Sequence, residues 1–524
     1  MRDLAARRDG APTSSAPTRP AVTAEDARRA AEILEALLDR PELAVGLDDA
    51  ARVRLLTAAG RLSRPSKFEL KSMAKSRRKE RRRTAKEGDR AARAATGIRT
   101  ARAADVFAAP ARALPAPDAP ERVLSKPQAC YVCKASYVRL HHFYDGMCPD
   151  CAEFNYAKRF QTADLSGRAA LLTGARLKIG YQAALKLLRA GAEVTVSTRF
   201  PHDAAARYAA EPDFKDWGAR LRVHGLDLRH SPSVEVFARY LCSTRTRLDA
   251  LISNAAQTVR RPVAFYEHLL PGEARGWKDL SAAERTILGG HYELRAALDR
   301  REPASAADQK ALTTWDGGAL GVGLRESARL SQVRMTYDDR TRGEGVFPAG
   351  RLDADLQQVD LRATNTWRMT LADVPTPELL EVLLINAVAP FVLAARLKPL
   401  MLAAGTREVH VVNVSAMEGI FSRGTKTDKH PHTNMAKAAL NMLTLTSAPD
   451  YAKDGIWMNA VDTGWVTDED PVVHSLRKQE IHDFQPPLDV VDGAARILDP
   501  LFVGLNTGVH ESGKFFKDYK PAAW

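Results

Sequence analysis

Four of the five cysteines form two closely spaced pairs that could bind a metal ion. The pairs are Cys130 with Cys133 and Cys148 with Cys151, and fourteen residues separate them. Two C-x2-C pairs provide four thiolates in tetrahedral geometry, and four protein ligands leave no coordination position for water. The sequence therefore predicts a structural zinc site in a zinc-ribbon-like module over residues 121–160, where the metal would stabilise a segment too small for a core of its own.

Two histidines lie between these cysteine pairs. His141 and His142 could replace a thiolate at the metal, or they could pack within the module beside Phe143 and Tyr144; the tetracysteine set is the simpler interpretation. The fifth cysteine, Cys242, stands alone. A metal-type cluster with one free thiol favours a reducing compartment over a disulfide framework, so we expect a cytoplasmic protein.

A second chemical pattern is the glycine-containing turn between Thr173 and Gly180. Residues 168–199 read RAALLTGARLKIGYQAALKLLRAGAEVTVSTR and predict a strand, this turn, a helix and a second strand. Such a turn presents free backbone N–H groups and the positive end of the helix dipole to one point, which suits a pyrophosphate. Glycine also serves the sterics of any strand–helix turn. We expect a dinucleotide at this βαβ unit.

The end of the second strand indicates which dinucleotide is preferred. In a unit of this type, an acidic residue at that place binds the 2′-hydroxyl of the adenosine ribose. Here Thr198 stands at the position and Arg199 follows it, while Arg176 and Lys178 add positive charge from the turn. A guanidinium can hold a 2′-phosphate with two hydrogen bonds, so we expect NADP rather than NAD. Alternatively, Arg199 stacks on the adenine or faces solvent.

The net charge of +13 is concentrated near the amino terminus. Residues 64–93 contain thirteen Lys or Arg and four acidic residues and thus carry +9, whereas the rest of the 524-residue chain carries +4. The pattern over 66–102 is helical but has no apolar stripe. It indicates either contact of residues 64–102 with nucleic acid or another acidic partner, or a solvated linker.

The other segments before residue 120 have simpler interpretations. We expect a disordered tail over residues 1–22, helices over about 24–40 and 48–62, and a linker over 103–120. The amino terminus has no apolar core of the kind that a secretory signal needs, and no run of 18 apolar residues occurs. We therefore expect no membrane association.

From Leu165 onward, several motifs occur in the order and spacing of a known family. They are TGARLKIG at 173–180, Asp227 after the third strand, SNAA at 253–256, Asn386, Lys437 and TGWVT at 463–467. With these motifs the sequence resembles the short-chain dehydrogenase/reductase (SDR) family, whose marks are TGxxxGxG, an acidic residue after the third strand, NNAG, a catalytic Asn, a Ser, YxxxK and PGxxxT. The closing ESGKFFKDYKP is similar to the C-terminal segment of the retinol-dehydrogenase-like branch. The resemblance implies an α/β, doubly wound parallel-sheet Rossmann domain over residues 161–524 with NAD(P)-dependent oxidoreductase activity.

The resemblance, together with the charges described above, gives a set of candidate cofactor-binding residues. They are Thr173, Gly174, Arg176, Lys178, Ile179, Gly180, Thr198, Arg199, Asp227, Leu228, Asn254, Ala255, Ala256, Lys437, Thr463, Gly464 and Thr467. The middle glycine of the first motif is replaced by Lys178, whose side chain must swing aside or pair with the phosphates. NNAG reads SNAA and PG reads TG, and neither change removes a decisive contact.

The catalytic motifs depart further from the family. The resemblance places the general-acid Tyr at Thr433 and the catalytic Ser at Ala416, with Ser415 one position away. Only Asn386 and Lys437 of the four family residues are unchanged. A threonine hydroxyl is too basic to replace a lysine-assisted phenolate near neutral pH, so the usual proton donor is absent.

A substitute acid could come from a neighbouring segment. His430 and His432 precede or begin a helix, and imidazoles ordinarily titrate near neutral pH; Glu418 is a third source. A histidine beside a helix start more often caps the helix or lies on the surface. The candidate catalytic set is Asn386, Lys437, Thr433, Ser415 and His432.

An insertion at about 260–370 separates Asn254 from Asn386. It would lie over the substrate side of the sheet, where doubly wound folds bind ligands, and it predicts either a lid or an oligomerisation arm. We expect a basic helical or disordered region over 1–120, the zinc ribbon and the Rossmann domain. Together they would form a homo-oligomeric oxidoreductase with NADP and zinc, acting on a small molecule that the sequence does not identify. The alternative is a catalytically silent dinucleotide sensor or a nucleic-acid- or protein-binding adaptor.

Overall fold

The computed structural model describes residues 22–113, 121–300 and 321–524. These residues fall into two compact units, which divide in the sequence between Ala85 and Lys86. The predicted disordered tail lies outside the described residues, apart from Val22.

The first unit consists of helices that bury no residue. Its elements are α1 (Ala24–Asp39), α2 (Glu42–Val45), α3 (Asp49–Ser63) and the first part of α4 (Lys67–Ala94). A capping box begins α1, because the Thr23 side chain accepts from the Asp26 N–H while the Asp26 carboxylate accepts from the Thr23 N–H. The predicted helices at 24–40 and 48–62 are confirmed.

The second unit contains the remaining elements. In chain order they are α5 (Gly97–Arg102), β1 (Val123–Ala129), β2 (Ser136–Arg139), α6 (Pro149–Arg159), β3 (Ala169–Thr173), α7 (Lys178–Arg189), β4 (Glu193–Thr198), α8 (Pro201–Ala209), α9 (Phe214–Trp217), β5 (Leu221–Gly225), α10 (Ser231–Thr244), β6 (Ala250–Ser253), α11 (Leu270–Glu273), α12 (Ala282–Asp299), α13 (Val322–Arg325), α14 (Thr376–Leu383), α15 (Ala389–Leu402), β7 (Val409–Ser415), α16 (Pro431–Lys453), β8 (Ile456–Asp462), α17 (Val472–His482), α18 (Val490–Thr507), β9 (Phe515–Lys517) and β10 (Lys520–Ala522). A π-helical turn, Leu384–Val388, joins α14 to α15.

An eight-stranded sheet with the order β10-β9-β8-β7-β6-β3-β4-β5 forms the centre of this unit. Its pairs are parallel, except that β10 runs antiparallel to β9. Alternate strand residues enter two apolar cores: Leu172 packs on one side with α7 and α18, and Leu171 packs on the other with α10 and α15. Helices on both faces explain why the strands are apolar throughout. The predicted doubly wound Rossmann fold is confirmed.

One helical stretch, Thr376–Leu402, is apolar and long enough to cross a membrane by length and composition. Half of its apolar window is buried inside the domain, where Leu393, Leu397 and Met401 contribute to the core. Core helices of globular domains pass the same test, so the stretch is weak evidence for a membrane span.

The insertion is joined to the sheet by buried ion pairs. Arg260 pairs with Asp339 inside the insertion at 2.8 Å and with Glu381 of α14 at 3.1 Å. Arg229, which follows β5, pairs with the same Glu381 at 2.8 Å and with Asp227 at 2.6 Å. Removing one partner of a buried pair leaves an uncompensated charge, so these contacts fix the described part of the insertion to the domain.

Candidate functional site

A cavity of about 570 Å³ opens at the carboxyl ends of the central strands. The turn after β3 forms its floor, and its walls come from the ends of β4, β6 and β7, the loop after β8 and residues 353–365 of the insertion. Ligands of doubly wound folds bind at this place. The candidate cofactor residues all line the cavity, except Thr173 and Gly464, which are the chain neighbours of the lining residues Gly174 and Thr463.

Two glycines shape the floor. A Cβ at Gly174, whose φ is +70°, would lie 2.7 Å from the Cα of Ala255, and a Cβ at Gly180 would lie 2.3 Å from the carbonyl oxygen of Gly174. Asn254 Nδ2 donates to the carbonyl oxygens of Thr173 and Gly174, both at 3.1 Å. The Thr173 hydroxyl accepts from the Ala255 N–H at 3.0 Å. The turn is therefore held against β6 with its backbone exposed to the cavity, as a pyrophosphate requires.

Lys178 takes the left-handed backbone conformation where the family motif has its middle glycine. Its φ of +52° costs a non-glycine residue about 1–2 kcal/mol. The residue begins α7 and lines the cavity, and in the described part of the chain its ammonium makes no hydrogen bond or ion pair. Burial raises the pKa of Glu469, but the Lys178 charge and two hydroxyls lower it below its usual value. A strained, unpartnered cation at a helix N-terminus is placed to meet a phosphate.

Arg199 lies at the other end of the floor, after β4. Its Nη2 donates to the Tyr266 hydroxyl at 2.8 Å, and no carboxylate of the described residues pairs with it. Arg176, by contrast, pairs with Asp203 at 2.8 Å, so a carboxylate already neutralises its charge. The Thr198 hydroxyl accepts from the N–H of Phe200. Arg199 is therefore the principal candidate for a 2′-phosphate contact.

Asp227 and Leu228 follow β5 and line the cavity between these two ends. Both carboxylate oxygens of Asp227 accept hydrogen bonds from Arg229. Burial raises the pKa of Asp227, but Arg229 lowers it more, so the group stays ionised. Asp227 would therefore contact a cofactor as a carboxylate that is already paired with Arg229.

Lys437 projects from α16 into the catalytic end of the cavity. Its buried ammonium donates to the carbonyl oxygen of Val414 at 2.8 Å. Burial lowers the pKa of Lys437 to about 8, and the charge of Glu418 offsets this only in part. A group with a pKa near the working pH can both hold and release a proton, as a general acid must.

The serine position carries no usable hydroxyl. Ala416 stands in the cavity wall where the family has its catalytic Ser. Ser415 also lines the cavity, but its hydroxyl is buried and donates to the Asn441 side chain of α16. Ser415 is thus engaged in joining β7 to α16.

Thr433 and His432 do not reach the cavity. The Thr433 hydroxyl donates to the carbonyl oxygen of His430 at 2.9 Å and also contacts the Nδ1 atom of that residue. His432 Nε2 faces the carboxylate of Glu378 on α14 at 3.4 Å, and the His430 ring stacks on Trp367 at 3.8 Å. These side chains join α16 to α14 and the insertion. The geometry gives no support to a catalytic role for either residue.

Asn386 sits in the π-helical turn directly behind the wall. Its Oδ1 accepts from the Gln257 N–H at 2.8 Å and its Nδ2 donates to the Gln257 carbonyl oxygen at 3.2 Å. π-Helical turns often occur at functional sites. Asn386 therefore shapes the wall by holding the backbone of Gln257, which lines the cavity.

Glu469 is a cavity residue that the sequence analysis missed. Its carboxylate accepts from the hydroxyls of Thr467 at 2.7 Å and Thr258 at 3.2 Å, and Asn365 of the insertion donates to its carbonyl oxygen at 2.7 Å. Thr467, expected at the cofactor, is engaged by Glu469. The only signal in the sequence was the position of Glu469 two residues after Thr467.

The insertion supplies a second missed group. Arg261 and Arg362 both pair with Asp360, and all three line the cavity. The spacing Asp360-Leu-Arg362 hints at a local ion pair, but the resemblance offers no pattern for the inserted segment. This wall could therefore not be placed from the sequence.

The four cysteines predicted to bind zinc converge. The Sγ atoms of Cys130, Cys133, Cys148 and Cys151 all lie within 4.8 Å of one another, and those of Cys133 and Cys148 are 3.7 Å apart. A tetrahedral site with Zn–S bonds of about 2.3 Å needs sulfur atoms roughly 3.8 Å apart. The hairpin of β1 and β2 carries the first pair, and the start of α6 carries the second. The donor set fits one zinc ion.

The module shares an apolar core with the loop after β8. Phe143 and Tyr144 pack in one cluster with Val466 of that loop and with Leu488, which lies between α17 and α18, and Ile179 of the cavity floor touches the same cluster. The N–H of Trp465 donates to the Tyr131 hydroxyl at 2.9 Å. A buried salt bridge joins α6 to the start of α18, Arg159 with Asp489 at 2.6 Å. The four-cysteine module thus packs against the loop whose next residues, 467–472, line the cavity.

Basic residues of α4 and α5 bind the end of α17 and the segment that follows it. Backbone carbonyl oxygens in the last turn of α17 accept from Lys86 (Ile481) and Arg90 (Glu480), and those between α17 and α18 accept from Arg99 (Asp483) and Arg102 (Pro486 and Leu488). Part of the basic segment that was expected to bind an acidic partner therefore binds the domain itself.

Two family models match the chain, one on each side of residues 270–349. The short chain dehydrogenase model matches residues 168–269, and the model described as enoyl-(acyl carrier protein) reductase matches residues 350–482. These ranges contain the floor of the cavity and its catalytic end.

Similar proteins include one long match and several short ones. An uncharacterized protein of Acanthamoeba polyphaga mimivirus is 30% identical over 71% of this chain and 71% of its own length. Dehydrogenase/reductase SDR family member 13 of Homo sapiens is 38% identical over 26% of this chain and 45% of its own length. Retinol dehydrogenase 13 of Mus musculus is 33% identical over 18% of this chain and 28% of its own length.

Solved structures with a similar fold include an NADPH-bound carbonyl reductase from chicken fatty liver, 16% identical, with a TM-score of 0.41 over 70% of this chain and 98% of its own. The angucycline C-6 ketoreductase LanV with bound NADP is 18% identical, with a TM-score of 0.40 over 68% of this chain and 96% of its own. Both family models, the ordered motifs and the doubly wound sheet agree that this chain contains a short-chain dehydrogenase/reductase domain.

Proposed function

We propose that the protein is an NADP(H)-dependent oxidoreductase in which Lys437 donates the proton that the family takes from tyrosine. The observation that carries this proposal is the position of the Lys437 ammonium, which lies in the same cavity as the glycine turn. At this end of the cavity the two hydroxyl positions of the family are vacated, since Ala416 has none and that of Thr433 is turned away.

The cavity residues fit NADP. Gly174 and Gly180 allow the turn to pack closely, because a Cβ at either would meet protein backbone, and both residues line the cavity where a pyrophosphate would bind. Lys178 supplies a cation that has no partner in the described part of the chain, and Arg199 supplies one near the adenosine ribose. Charge-assisted hydrogen bonds from both cations would favour the cofactor with the greater negative charge.

The reaction would be reduction of a carbonyl group or its reverse. NADPH, when bound, supplies the hydride that adds to the carbonyl carbon. Lys437 then gives a proton from its ammonium to the carbonyl oxygen, and becomes a neutral amine. Asn386 holds the backbone of Gln257 in the cavity wall, and residues 353–365 form another part of that wall.

A thermal-shift titration with NADP, NADPH, NAD and NADH tests the cofactor. A ligand that binds only the native state must raise the melting temperature, so we expect the two phosphorylated forms to stabilise the protein most. Absence of any shift would exclude dinucleotide binding. The catalytically silent sensor is distinguished by turnover, since it would bind NADPH without oxidising it in the presence of any aldehyde or ketone of a broad panel.

We also propose that the four-cysteine module holds one zinc ion. The converging sulfur atoms support this assignment, and metal analysis of protein purified without chelators tests it. About one zinc per chain is expected, and a ratio far below one would contradict the proposal.

A nucleic acid is a second candidate partner, and the exposed part of α4 favours it. The basic side chains from Lys71 to Arg82 are exposed and have no acidic partner in the described parts of the chain. Clustered cations bind a phosphate backbone with strong salt dependence. Binding of an RNA or DNA oligonucleotide that weakens steeply from 50 to 200 mM salt would be expected, and Lys86 onward should not contribute.

A further inference from the structure

We propose that Tyr266 of the insertion is a positioning residue that holds Arg199 ready for the 2′-phosphate and so sets the preference for NADP over NAD. The inference rests on the proposed NADP(H) binding. It gives the insertion a part in cofactor choice, which the SDR motifs themselves do not provide.

The contact between the two residues is close and has two components. Arg199 Nη2 donates to the Tyr266 hydroxyl at 2.8 Å, and the guanidinium carbon lies 4.7 Å from the centre of the Tyr266 ring. The same guanidinium lies 5.6 Å from the ring of Phe200, which packs beside Tyr266 with the ring centres 5.3 Å apart. The long Arg199 side chain is thereby restricted to one orientation, and its loss of rotamer entropy occurs before any ligand binds.

Tyr266 is itself firmly held. It lies in the short 3₁₀ helix Val263–Leu269 and belongs to an apolar cluster with Phe265 and Phe347 of the insertion. A second insertion residue, Ser327, donates from its hydroxyl to the Arg199 carbonyl oxygen at 2.9 Å. The insertion therefore fixes both the backbone and the side chain of Arg199.

The rest of the guanidinium stays available to a ligand. Only its Nη2 atom forms a hydrogen bond with the described residues, and both Arg199 and Tyr266 line the cavity. The remaining N–H groups suffice for two-point recognition of a phosphate. The surroundings are also positive: burial raises the pKa of Tyr266, but Arg199 and the nearby Arg261 and Arg229 lower it below its usual value. Such a field favours a phosphate that carries nearly two negative charges.

The variant Tyr266→Phe tests the inference, because it removes the hydroxyl and keeps the ring. Dissociation constants are measured by calorimetry at low salt for NADP, NAD, adenosine 2′,5′-bisphosphate and 5′-AMP. We expect NADP and the bisphosphate to bind about three- to tenfold more weakly, which is the effect of one lost hydrogen bond, while NAD and 5′-AMP are unchanged. Tyr337→Phe is the matched control, since Tyr337 belongs to the same insertion and is 86% exposed.

Arg199→Ala separates failure of the inference from failure of the proposed function. If Arg199→Ala weakens NADP selectively and Tyr266→Phe changes nothing, the inference falls and NADP(H) binding stands. If the unaltered protein binds neither phosphorylated ligand more tightly than its counterpart, both fall.

Two further outcomes would also overturn the inference. An equal loss for all four ligands would show that Tyr266 only packs the wall. Tighter NADP binding by Tyr266→Phe would show that the Tyr266 hydroxyl holds Arg199 away from the 2′-phosphate. The melting temperature of each variant confirms that the fold is retained.

Discussion

The cofactor end of the cavity depends on backbone geometry, whereas its catalytic end depends on side chains. At the cofactor end, Gly174 and Gly180 lie against backbone atoms, and Asn254 binds two carbonyl oxygens of the same turn. At the catalytic end the family chemistry depends on two side-chain hydroxyls. Ala416 stands at one of these positions and has no hydroxyl, and the Thr433 hydroxyl at the other donates to the carbonyl oxygen of His430. Backbone geometry tolerates little replacement, whereas a side-chain function can pass to another group, for which we propose Lys437.

The largest expected effect tests the four-cysteine module that packs against the loop after β8. Cys148→Ser should abolish zinc binding and lower the melting temperature strongly, because structural zinc contributes on the order of 10 kcal/mol to small modules. Proteolysis should then cut preferentially in 465–489, which packs on the module, rather than in the floor at 173–180. Cys242→Ser is the control, as Cys242 is exposed and distant from the cluster. Unchanged zinc content in Cys148→Ser would contradict the ligand assignment.

The second prediction concerns the proton. Lys437→Met should reduce carbonyl reduction by a factor of about 10²–10⁴, the usual contribution of a general acid, while the dissociation constant of NADPH changes much less. A comparable loss in both quantities would assign Lys437 to cofactor binding alone.

The pH profile gives an independent check of the same residue. Burial lowers the pKa of Lys437 to about 8, so carbonyl reduction should fall as the pH rises through 8 and alcohol oxidation should increase. Stability should rise with pH from about 8 to the ordinary lysine range, since the unfolded chain binds the proton that the folded one has released. A reduction rate that stays flat to pH 10 would exclude the ammonium as donor.

The third prediction compares two glycines with similar φ and so tests the shape of the cofactor end of the cavity. Gly174 and Gly167 have nearly the same φ, +70° and +72°, but a Cβ at Gly174 meets Ala255 whereas one at Gly167 has nothing within 4 Å. Alanine at either costs roughly 1 kcal/mol of backbone strain. Only Gly174→Ala should weaken NADPH binding, by tenfold or more, because the turn must shift to relieve the contact. Equal effects in a fluorescence titration would show that strain, not shape, governs the site.

The smallest expected effect is at the vacated tyrosine position. Thr433→Val should alter turnover by less than about twofold, although it should reduce the free energy of unfolding by about 1 kcal/mol through loss of the bond to His430. Chemical denaturation and steady-state kinetics measure the two quantities. A large fall in turnover with unchanged stability would return Thr433 to the catalytic set.

The sequence predicted best where a residue type follows from local geometry. The glycine turn, the βαβ unit and the cysteine pairs each depend on short-range spacing, and the structure confirms the Rossmann fold and the convergence of the four cysteines. The contact of Glu469 with Thr258 and that of Arg362 with the Arg260 carbonyl oxygen could not be predicted, because each joins segments more than a hundred residues apart and the inserted wall has no counterpart in the motifs.

The basic segment shows the other limit. Net charge identifies cations but does not say which anions or carbonyl groups they meet, and Arg99 and Arg102 meet backbone oxygens of the domain. His432 illustrates the same point for chemistry, since its position beside a helix start could not reveal that it faces Glu378.

The bonds between α5 and the loop after α17 also bear on how the chain matures during synthesis. Arg99 and its acceptor at Asp483 are 384 residues apart, so the metal module leaves the ribosome long before the surface that covers it. At about 5–20 residues per second this interval lasts tens of seconds, during which the apolar face of Phe143 and Tyr144 has no Leu488 to pack against. Early zinc binding would keep the four-cysteine module folded during this interval. A nascent chain without zinc would expose the apolar face to chaperones.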